Sequence, residues 1–335
     1  MMEDMSKVLV TGGSGFLAAH TIARLLVDGH EVSTTVRRLD RSPSVIEMLR
    51  TAGAPDADSV RFFATDLTAD DGWEEAVDCQ DFVLHVASPF PADDPEDENE
   101  LIVPARDGAL RVLRAASDSG VKRVVLTSSF AAIGYGAADP EHVFDEADWT
   151  DPDTAGLAAY IKSKAIAERA AWDYIDQEGR GTELTVINPV GIFGPALGPD
   201  FSTSIGIIKM MLDGTMAAAP PVWTNVVDVR DAADLHVRAM TAPHAAGQRY
   251  LAAAGDPISF QEIADALRAN LGHAAAKAPT ETATESTGAQ QLPPPGMIRR
   301  ISTAKARTEL GWTSRSNEEA IVAAGESLVR LGLLG

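Results

Sequence analysis

Short apolar runs alternate with longer helical patterns along the first 190 residues. The runs are rich in β-branched residues and lack an alternation of apolar and polar positions, which is typical of strands buried on both faces. Between the first two runs, apolar residues recur at helical spacing until Asp28-Gly29, a helix-stop signal. We predict strands at 7–11, 31–36, 60–65, 81–86, 122–128 and 183–188, and helices at 16–27, 44–52, 70–78, 98–119 and 155–178.

Strands that alternate with helices favour a parallel sheet covered on both faces. We therefore predict an α/β fold in which residues 1–190 form a doubly wound parallel sheet, the Rossmann architecture of dinucleotide-binding domains. Ligands of such sheets bind beyond the carboxyl ends of the strands, where the winding reverses.

The second part of the chain has a looser pattern, with Gly and Pro clustered at 191–199. We interpret residues 191–335 as a smaller, interleaved substrate-binding lobe, and expect 225–240 to return to the main domain. Residues 279–297 are rich in Thr, Ser, Pro and Gln and are interpreted as a surface loop or mobile lid segment. Further predicted elements are a strand at 225–229 and helices at 231–240, 259–271 and 316–331.

A glycine-rich turn, TGGSGFLA, joins the first strand to the first helix at residues 11–18. Gly13, Gly15 and Ala18 match the dinucleotide-binding fingerprint in its required strand–turn–helix context. Glycine permits a tight turn and a close approach of backbone to pyrophosphate, and the helix N-terminus offers N–H donors. The predicted cofactor contacts here are Gly12, Gly13, Ser14, Gly15, Phe16 and Leu17.

Two arginines follow the second strand, where NAD-binding proteins place an acidic residue on the ribose 2′-hydroxyl. Arg37 stands 22 residues after Gly15, and Arg38 is next to it. Guanidinium groups suit a 2′-phosphate, so we predict NADP(H) in preference to NAD(H). A solvated pair at a strand end is the alternative interpretation, and Asp40 lies close enough to compete.

A Tyr-x-x-x-Lys pattern within the fifth predicted helix places Tyr160 and Lys164 on one helix face. Carbonyl reduction needs a proton donor, and a neighbouring ammonium makes a phenol a better one because it stabilises the phenolate. Ser129 follows the central strand at 122–128, at the edge where the nicotinamide is expected, and can stabilise a substrate oxygen. We predict Ser129, Tyr160 and Lys164 as the catalytic residues.

The chain resembles an extended short-chain dehydrogenase/reductase of the dihydroflavonol 4-reductase, cinnamoyl-CoA reductase and aldehyde or carbonyl reductase group. The matching segments span most of the first 240 residues: TGGSGFLAAH (11–20), TTVRR (34–38), DL (66–67), HVASP (85–89), TSS (127–129), YIKSK (160–164), INP (187–189) and VVDVRDAADLH (226–236).

This resemblance implies NADPH-dependent reduction of an aldehyde or ketone, reversible at high pH, with Tyr160 as the proton donor. It also implies that Asp66 and Leu67 contact the adenine, that Ala87 and Ser88 line the cofactor channel, and that Pro189 packs near the nicotinamide. The chain departs from plant flavonoid reductases after the serine, since residues 130–134 read FAAIG and contain no Asn. A more apolar pocket is therefore expected, with Phe130, Ile133, Phe193, Met210, Met211 and Trp223 as candidate lining residues.

Two other functions remain open at this point. A nucleotide-sugar epimerase or dehydratase with bound NAD would keep the fold, although Arg37 and Arg38 argue against NAD. A non-catalytic dinucleotide sensor would also keep the fold, although such proteins typically lose the Tyr or the Lys.

Composition narrows the class of partner. The chain has 335 residues, of which 28 are basic and 49 acidic, for a net charge of −21. It would repel a phosphate backbone or an anionic bilayer, so we expect no nucleic-acid or membrane partner.

A single cysteine and an acidic N-terminus without a hydrophobic stretch favour a cytoplasmic protein. We expect a monomer or homodimer with a small-molecule substrate. The sequence shows no residues at metal-ligand spacing, so we expect no metal. Asp93, Asp94 and Glu96 are interpreted as part of a solvated loop.

Overall fold

The computed structural model describes residues 5–89, 95, 97–136, 139, 141–284 and 297–334. Within these ranges we number the strands along the chain as β1 (Lys7–Val10), β2 (Glu31–Val36), β3 (Arg61–Ala64), β4 (Phe82–His85), β5 (Arg123–Thr127), β6 (Val143–Phe144), β7 (Glu183–Pro189), β8 (Gly191–Phe193), β9 (Trp223–Asp228), β10 (Arg249–Ala252), β11 (Ala254–Ser259) and β12 (Arg300–Ile301). The α-helices are α1 (Phe16–Val27), α2 (Ser42–Thr51), α3 (Trp73–Val77), α4 (Asn99–Asp118), α5 (Ala159–Glu178), α6 (Thr203–Asp213), α7 (Val229–Thr241), α8 (Phe260–Leu271), α9 (Ala304–Leu310) and α10 (Asn317–Arg330).

The central sheet has seven strands in the order β10-β7-β5-β4-β1-β2-β3, and every neighbouring pair is parallel. The chain winds outward from β1 through β2 to β3, then restarts on the other side of β1 with β4. This reversal opens a crevice beyond the carboxyl ends of β1 and β4. The predicted doubly wound parallel sheet is confirmed.

Burial on both faces of the sheet explains the continuous apolar runs that mark the strands in the sequence. Residues Val8, Leu9 and Val10 of β1 are fully buried, as are Val83 and Leu84 of β4. Helices α1 and α7 pack together over one face of the sheet, and α4 and α5 pack together over the other. A strand covered in this way has no polar face, so it reads as a continuous apolar run.

The smaller lobe contains a three-stranded sheet in the order β11-β9-β8. The expectation that 225–240 returns to the main domain stays a prediction, and the strand and the helix of this segment have different neighbours. Strand β9 pairs with β8 and β11, whereas α7 packs on α1 of the main domain. The main sheet is extended instead by β10, whose four residues are all buried. The division at residue 190 itself stays a prediction.

Several predicted features lie partly outside the described residues. Residues 285–296 of the predicted loop at 279–297 lie outside the described residues. Asp93, Asp94 and Glu96 of the acidic segment lie outside them as well. No described helix combines the length and apolarity needed to cross a membrane.

Candidate active site

The glycine turn is tied to β2 by backbone and hydroxyl hydrogen bonds. The Gly12 N–H donates to Thr35 Oγ1 at 3.0 Å, and the Gly13 N–H donates to the Thr35 carbonyl at 2.8 Å. Gly12 has a φ of 74°, and a Cβ there would stand 2.9 Å from Ala87 Cβ. The turn therefore requires glycine both for its backbone conformation and for its contact with the segment after β4.

Helix α1 presents a helix N-terminus that can receive an anion. Its N-cap residue is Gly15, which supplies no side-chain cap, and its first turn has no acidic residue. The amide groups at this end face a cleft of about 1430 Å³, which Gly12, Ser14, Gly15, Phe16 and Leu17 help to line. This arrangement fits a pyrophosphate. Gly13 does not line the cleft, because it packs against β2, where a Cβ would stand 2.3 Å from Thr34 Oγ1.

The two arginines after β2 have different surroundings. Arg37 lines the cleft, and within the described part of the chain no carboxylate lies at ion-pair distance from it. Arg38 does not line the cleft and pairs with Asp40, with Arg38 Nε 3.2 Å from Asp40 Oδ1. Of the two arginines, only Arg37 therefore lines the cleft.

The predicted adenine and channel residues line the same cleft: Asp66, Leu67, Ala87, Ser88 and Pro189. The carboxylate of Asp66 accepts hydrogen bonds from the Thr68 N–H and hydroxyl, at 2.8 and 2.7 Å, which hold its pKa below the usual value. The nearby charge of Arg37 acts in the same direction. Asp66 is thus a fixed anionic hydrogen-bond acceptor in the wall of the cleft.

The three predicted catalytic residues converge in the cleft. The hydroxyls of Tyr160 and Ser129 share a hydrogen bond, and Lys164 Nζ lies 5.7 Å from the centre of the Tyr160 ring. Lys164 Nζ donates to Ser88 Oγ at 2.9 Å. Ser129 follows the end of β5, and α5 carries the other two residues, so packing of α5 beside the sheet brings the phenol, the hydroxyl and the ammonium together.

Burial changes the acid–base properties of this group. It raises the pKa of Tyr160 above its usual value, while the hydrogen bond with Ser129 acts in the opposite direction. It lowers the pKa of Lys164 to about 8, an effect that the negative charge of Glu168 partly offsets. At neutral pH the site therefore holds a neutral phenol next to an ammonium, which is the pair of protonation states that proton donation requires.

A buried polar network, which the sequence analysis did not predict, hydrogen-bonds the backbone of Ser129. Asn188 Nδ2 donates to the Ser129 carbonyl at 3.2 Å and to Glu168 Oε2 at 2.7 Å. Glu168 also accepts from Ser128 Oγ at 2.5 Å and from Arg249 Nε at 2.6 Å. The network joins β5, β7, β10 and α5, and residues so far apart in sequence give no motif from which it could be found.

The apolar lining of the cleft agrees only in part with expectation. Phe130, Phe193 and Trp223 line it, whereas Ile133 and Met211 are buried in the core and Met210 is exposed elsewhere. Tyr135 and Arg299 line the cleft as well. No sequence pattern pointed to either residue, because neither lies in a recognisable motif.

A family model described as "NAD dependent epimerase/dehydratase family" matches residues 8–253. The chain belongs to this family.

Curated members of the family that resemble the chain are reductases. Ketoreductase azaE of Aspergillus niger is 33% identical, over 92% of this chain and 93% of its own length. Cinnamoyl-CoA reductase 1 of Arabidopsis thaliana is 36% identical, over 73% of this chain and 70% of its own. The crystal structure of Gre2 from Candida albicans in complex with NADPH is 26% identical, covers 97% of this chain and 99% of its own, and has a TM-score of 0.81. The resemblance to the reductases of this family is confirmed.

Proposed function

We propose that this protein reduces an aldehyde or ketone to the alcohol, with NADPH as the reductant and Tyr160 as the proton donor. It is an NADP(H)-dependent oxidoreductase that acts on carbonyl groups. The observation that carries the proposal is the convergence of Ser129, Tyr160 and Lys164 in a cleft that begins at an anion-binding glycine turn. The ketoreductase relative and the NADPH complex of the structural neighbour support the same reaction and cofactor.

Residues along the whole cleft suit NADP(H). The open N-terminus of α1 would hold the pyrophosphate, Arg37 the 2′-phosphate, Asp66 and Leu67 the adenine, and Lys164 the nicotinamide ribose. When bound, NADPH supplies a hydride to the carbonyl carbon of the substrate. Ala87, Ser88 and Pro189 form the channel wall beside the reacting groups.

The side chains handle the proton and the developing negative charge. Ser129 and Tyr160 donate hydrogen bonds to the carbonyl oxygen, which polarises the carbonyl and holds its carbon in position. Tyr160 transfers its proton as negative charge builds on that oxygen, and the ammonium of Lys164 stabilises the phenolate that remains. The same groups serve alcohol oxidation when rising pH favours the phenolate as a base.

The Tyr160→Phe variant tests this role. It removes one hydroxyl from the site, so we expect NADPH to bind as in the wild type and turnover to fall by about 100-fold or more. Binding is followed by fluorescence titration, and turnover by NADPH consumption with a panel of aldehydes and ketones.

Tyr174→Phe is the matched control, because Tyr174 is a tyrosine of the same helix that does not line the cleft. It should leave turnover unchanged. Undiminished turnover in Tyr160→Phe would contradict the role of Tyr160. Purified protein that carries non-exchanging NAD and reduces no carbonyl compound would instead favour an epimerase or dehydratase.

A further inference from the structure

Arg299 is held in the wall of the cleft by contacts on three sides. Its Nε donates to the Gly134 carbonyl at 3.0 Å, and the guanidinium carbon lies 4.1 Å from the centre of the Tyr135 ring. The backbone carbonyl of Arg299 accepts a hydrogen bond from Asn225 Nδ2 at 2.9 Å. A long side chain fixed in this way loses little further conformational freedom when it binds a ligand.

Within the described ranges, the positive charge of Arg299 has no carboxylate to balance it. Among the residues that the structure describes, none places a carboxylate oxygen within 4.0 Å of its guanidinium nitrogens. The adjacent Arg300 pairs with Glu141, although at 3.4 Å. In a chain with 49 acidic and 28 basic residues, an arginine in a cleft without such a partner is unexpected. Burial lowers the pKa of Arg299, so its charge is kept in the cleft at an electrostatic cost.

Tyr135 connects Arg299 with the reacting groups. Its phenol interacts electrostatically with both Tyr160 and Arg299. Its ring packs against Phe130, the residue after Ser129, with ring centres 5.9 Å apart. All these side chains line the same cleft. Tyr135 is therefore a common neighbour of the guanidinium and of the group that would protonate the substrate oxygen.

We propose that Arg299 makes the cleft selective for carbonyl substrates with an anionic group near the carbonyl, oxo acids being the simplest class. The inference rests on the proposed carbonyl reduction and names its substrate class. The two guanidinium nitrogens that remain after the bond to Gly134 match the two oxygens of a carboxylate. An anion at this point offsets the cost of the buried charge, whereas a neutral carbonyl compound of the same shape does not.

The test compares pairs of related carbonyl compounds, one with an anionic group and one without. Benzoylformate and its methyl ester form one pair, and dihydroxyacetone phosphate and dihydroxyacetone form the other, so that carboxylate and phosphate are tested separately. For Arg299→Gln we expect kcat/KM for benzoylformate to fall about tenfold or more, mainly through KM. For the methyl ester it should stay within about twofold of the wild type. A loss confined to the phosphate pair would overturn the assignment to oxo acids.

Two further variants separate recognition from structure. Arg300→Gln removes the neighbouring exposed guanidinium and should leave kcat/KM unchanged for both benzoylformate and its methyl ester. Arg299→Lys keeps the charge and loses the planar stack on Tyr135, so it should restore part of the preference for the acid. A merely structural role would instead give Arg299→Lys and Arg299→Gln the same acid-to-ester ratio as the wild type, and that result would overturn the proposal.

A binding measurement makes this outcome independent of turnover. Calorimetric titration of benzoylformate into NADP⁺-saturated protein should show a dissociation constant that Arg299→Gln raises about tenfold. If no carbonyl compound is reduced but this difference in binding is present, the result contradicts the proposed carbonyl reduction and supports the anion site at Arg299. If the ester is reduced but the acid binds equally well to both proteins, the anion site fails and the reduction stands.

Discussion

At the scale of single residues, burial determines the chemistry of the site. Tyr160 and Lys164 lie one helical turn apart, yet burial shifts their pKa values in opposite directions, up for the phenol and down for the amine. Both shifts disfavour the charged forms, and the hydrogen bond with Ser129 opposes the shift of Tyr160. Sequence spacing alone predicts that the two side chains meet and does not predict these shifts.

The pKa of Lys164 predicts an alkaline limit for reduction. The ammonium is present below a pH of about 8 and is lost as the pH rises through that value, so kcat for reduction should decline above it. Lys164→Arg keeps its charge and should shift the decline to higher pH, with a lower maximal rate. The measurement is kcat at saturating substrate over a pH range that extends well below and well above the Lys164 pKa of about 8. A wild-type profile that stays level to the alkaline end would count against Lys164.

The different positions of the two arginines predict different effects on cofactor choice. Arg37→Asp removes the cation that faces the cleft and places an acceptor for a ribose 2′-hydroxyl there, so the ratio of kcat/KM for NADPH to that for NADH should fall about tenfold or more. Arg38→Asp is the control, because Arg38 lies off the cleft and pairs with Asp40. Equal effects of the two variants would contradict the assignment to Arg37.

At the scale of elements, the turn between β1 and α1 depends on its contacts with neighbouring strands. Thr11 illustrates this, since its hydroxyl hydrogen-bonds His85 Nδ1 at 2.9 Å and accepts from the Ala87 N–H at 3.0 Å. The end of β1 and the segment after β4 are thereby joined directly under the cofactor channel. The fingerprint glycines identify the turn, but β2 and β4 hold it in the geometry that binds an anion.

Gly12→Ala tests this dependence. A methyl group there would stand 2.9 Å from Ala87 Cβ and 3.2 Å from its Cα, in addition to the strain of a φ of 74°. We expect the dissociation constant for NADPH to rise about tenfold, together with a loss of about 1–3 kcal/mol in the free energy of unfolding.

Gly29→Ala serves as the control for backbone strain. Gly29 has a φ of 84°, but a Cβ there would contact nothing within 4 Å. This variant should lose stability without any change in NADPH binding, as measured by titration and urea unfolding. If both variants bind NADPH as the wild type does, the close contact with Ala87 has no role in forming the site.

At the scale of the whole molecule, one buried ion pair joins the layers of the main domain. Glu168 of α5 and Arg249 of β10 are both buried, and the Arg249 guanidinium also stacks 3.7 Å from the centre of the Trp149 ring. Its Nη1 donates to the carbonyls of Glu146 and Asp148 at 2.9 and 2.8 Å. Strand β10, at the edge of the sheet, is thus connected to α5 and to the loop after β6.

Arg249→Met should therefore destabilise the protein strongly. It leaves the buried carboxylate of Glu168 without its cation, so we expect the free energy of unfolding to fall by about 3–5 kcal/mol. Arg50→Met breaks an exposed pair with Asp58 and should change the free energy of unfolding only slightly, because water screens such a pair. Both values come from urea unfolding, and similar losses in the two variants would contradict a special role of the buried pair.

Local signals in the sequence determined the doubly wound sheet, the glycine turn and the Tyr160–Lys164 helix, because buried strands, turns and helix faces depend on residues close together in the chain. Tertiary structure decided that β10 rather than β9 extends the main sheet and that Arg37 rather than Arg38 faces the cleft. It also decided that Arg299 lines the same cleft as Tyr160, although the two are more than 130 residues apart along the chain. Strand pairing and the neighbours of a side chain depend on contacts between distant segments, which no local pattern of residue types specifies.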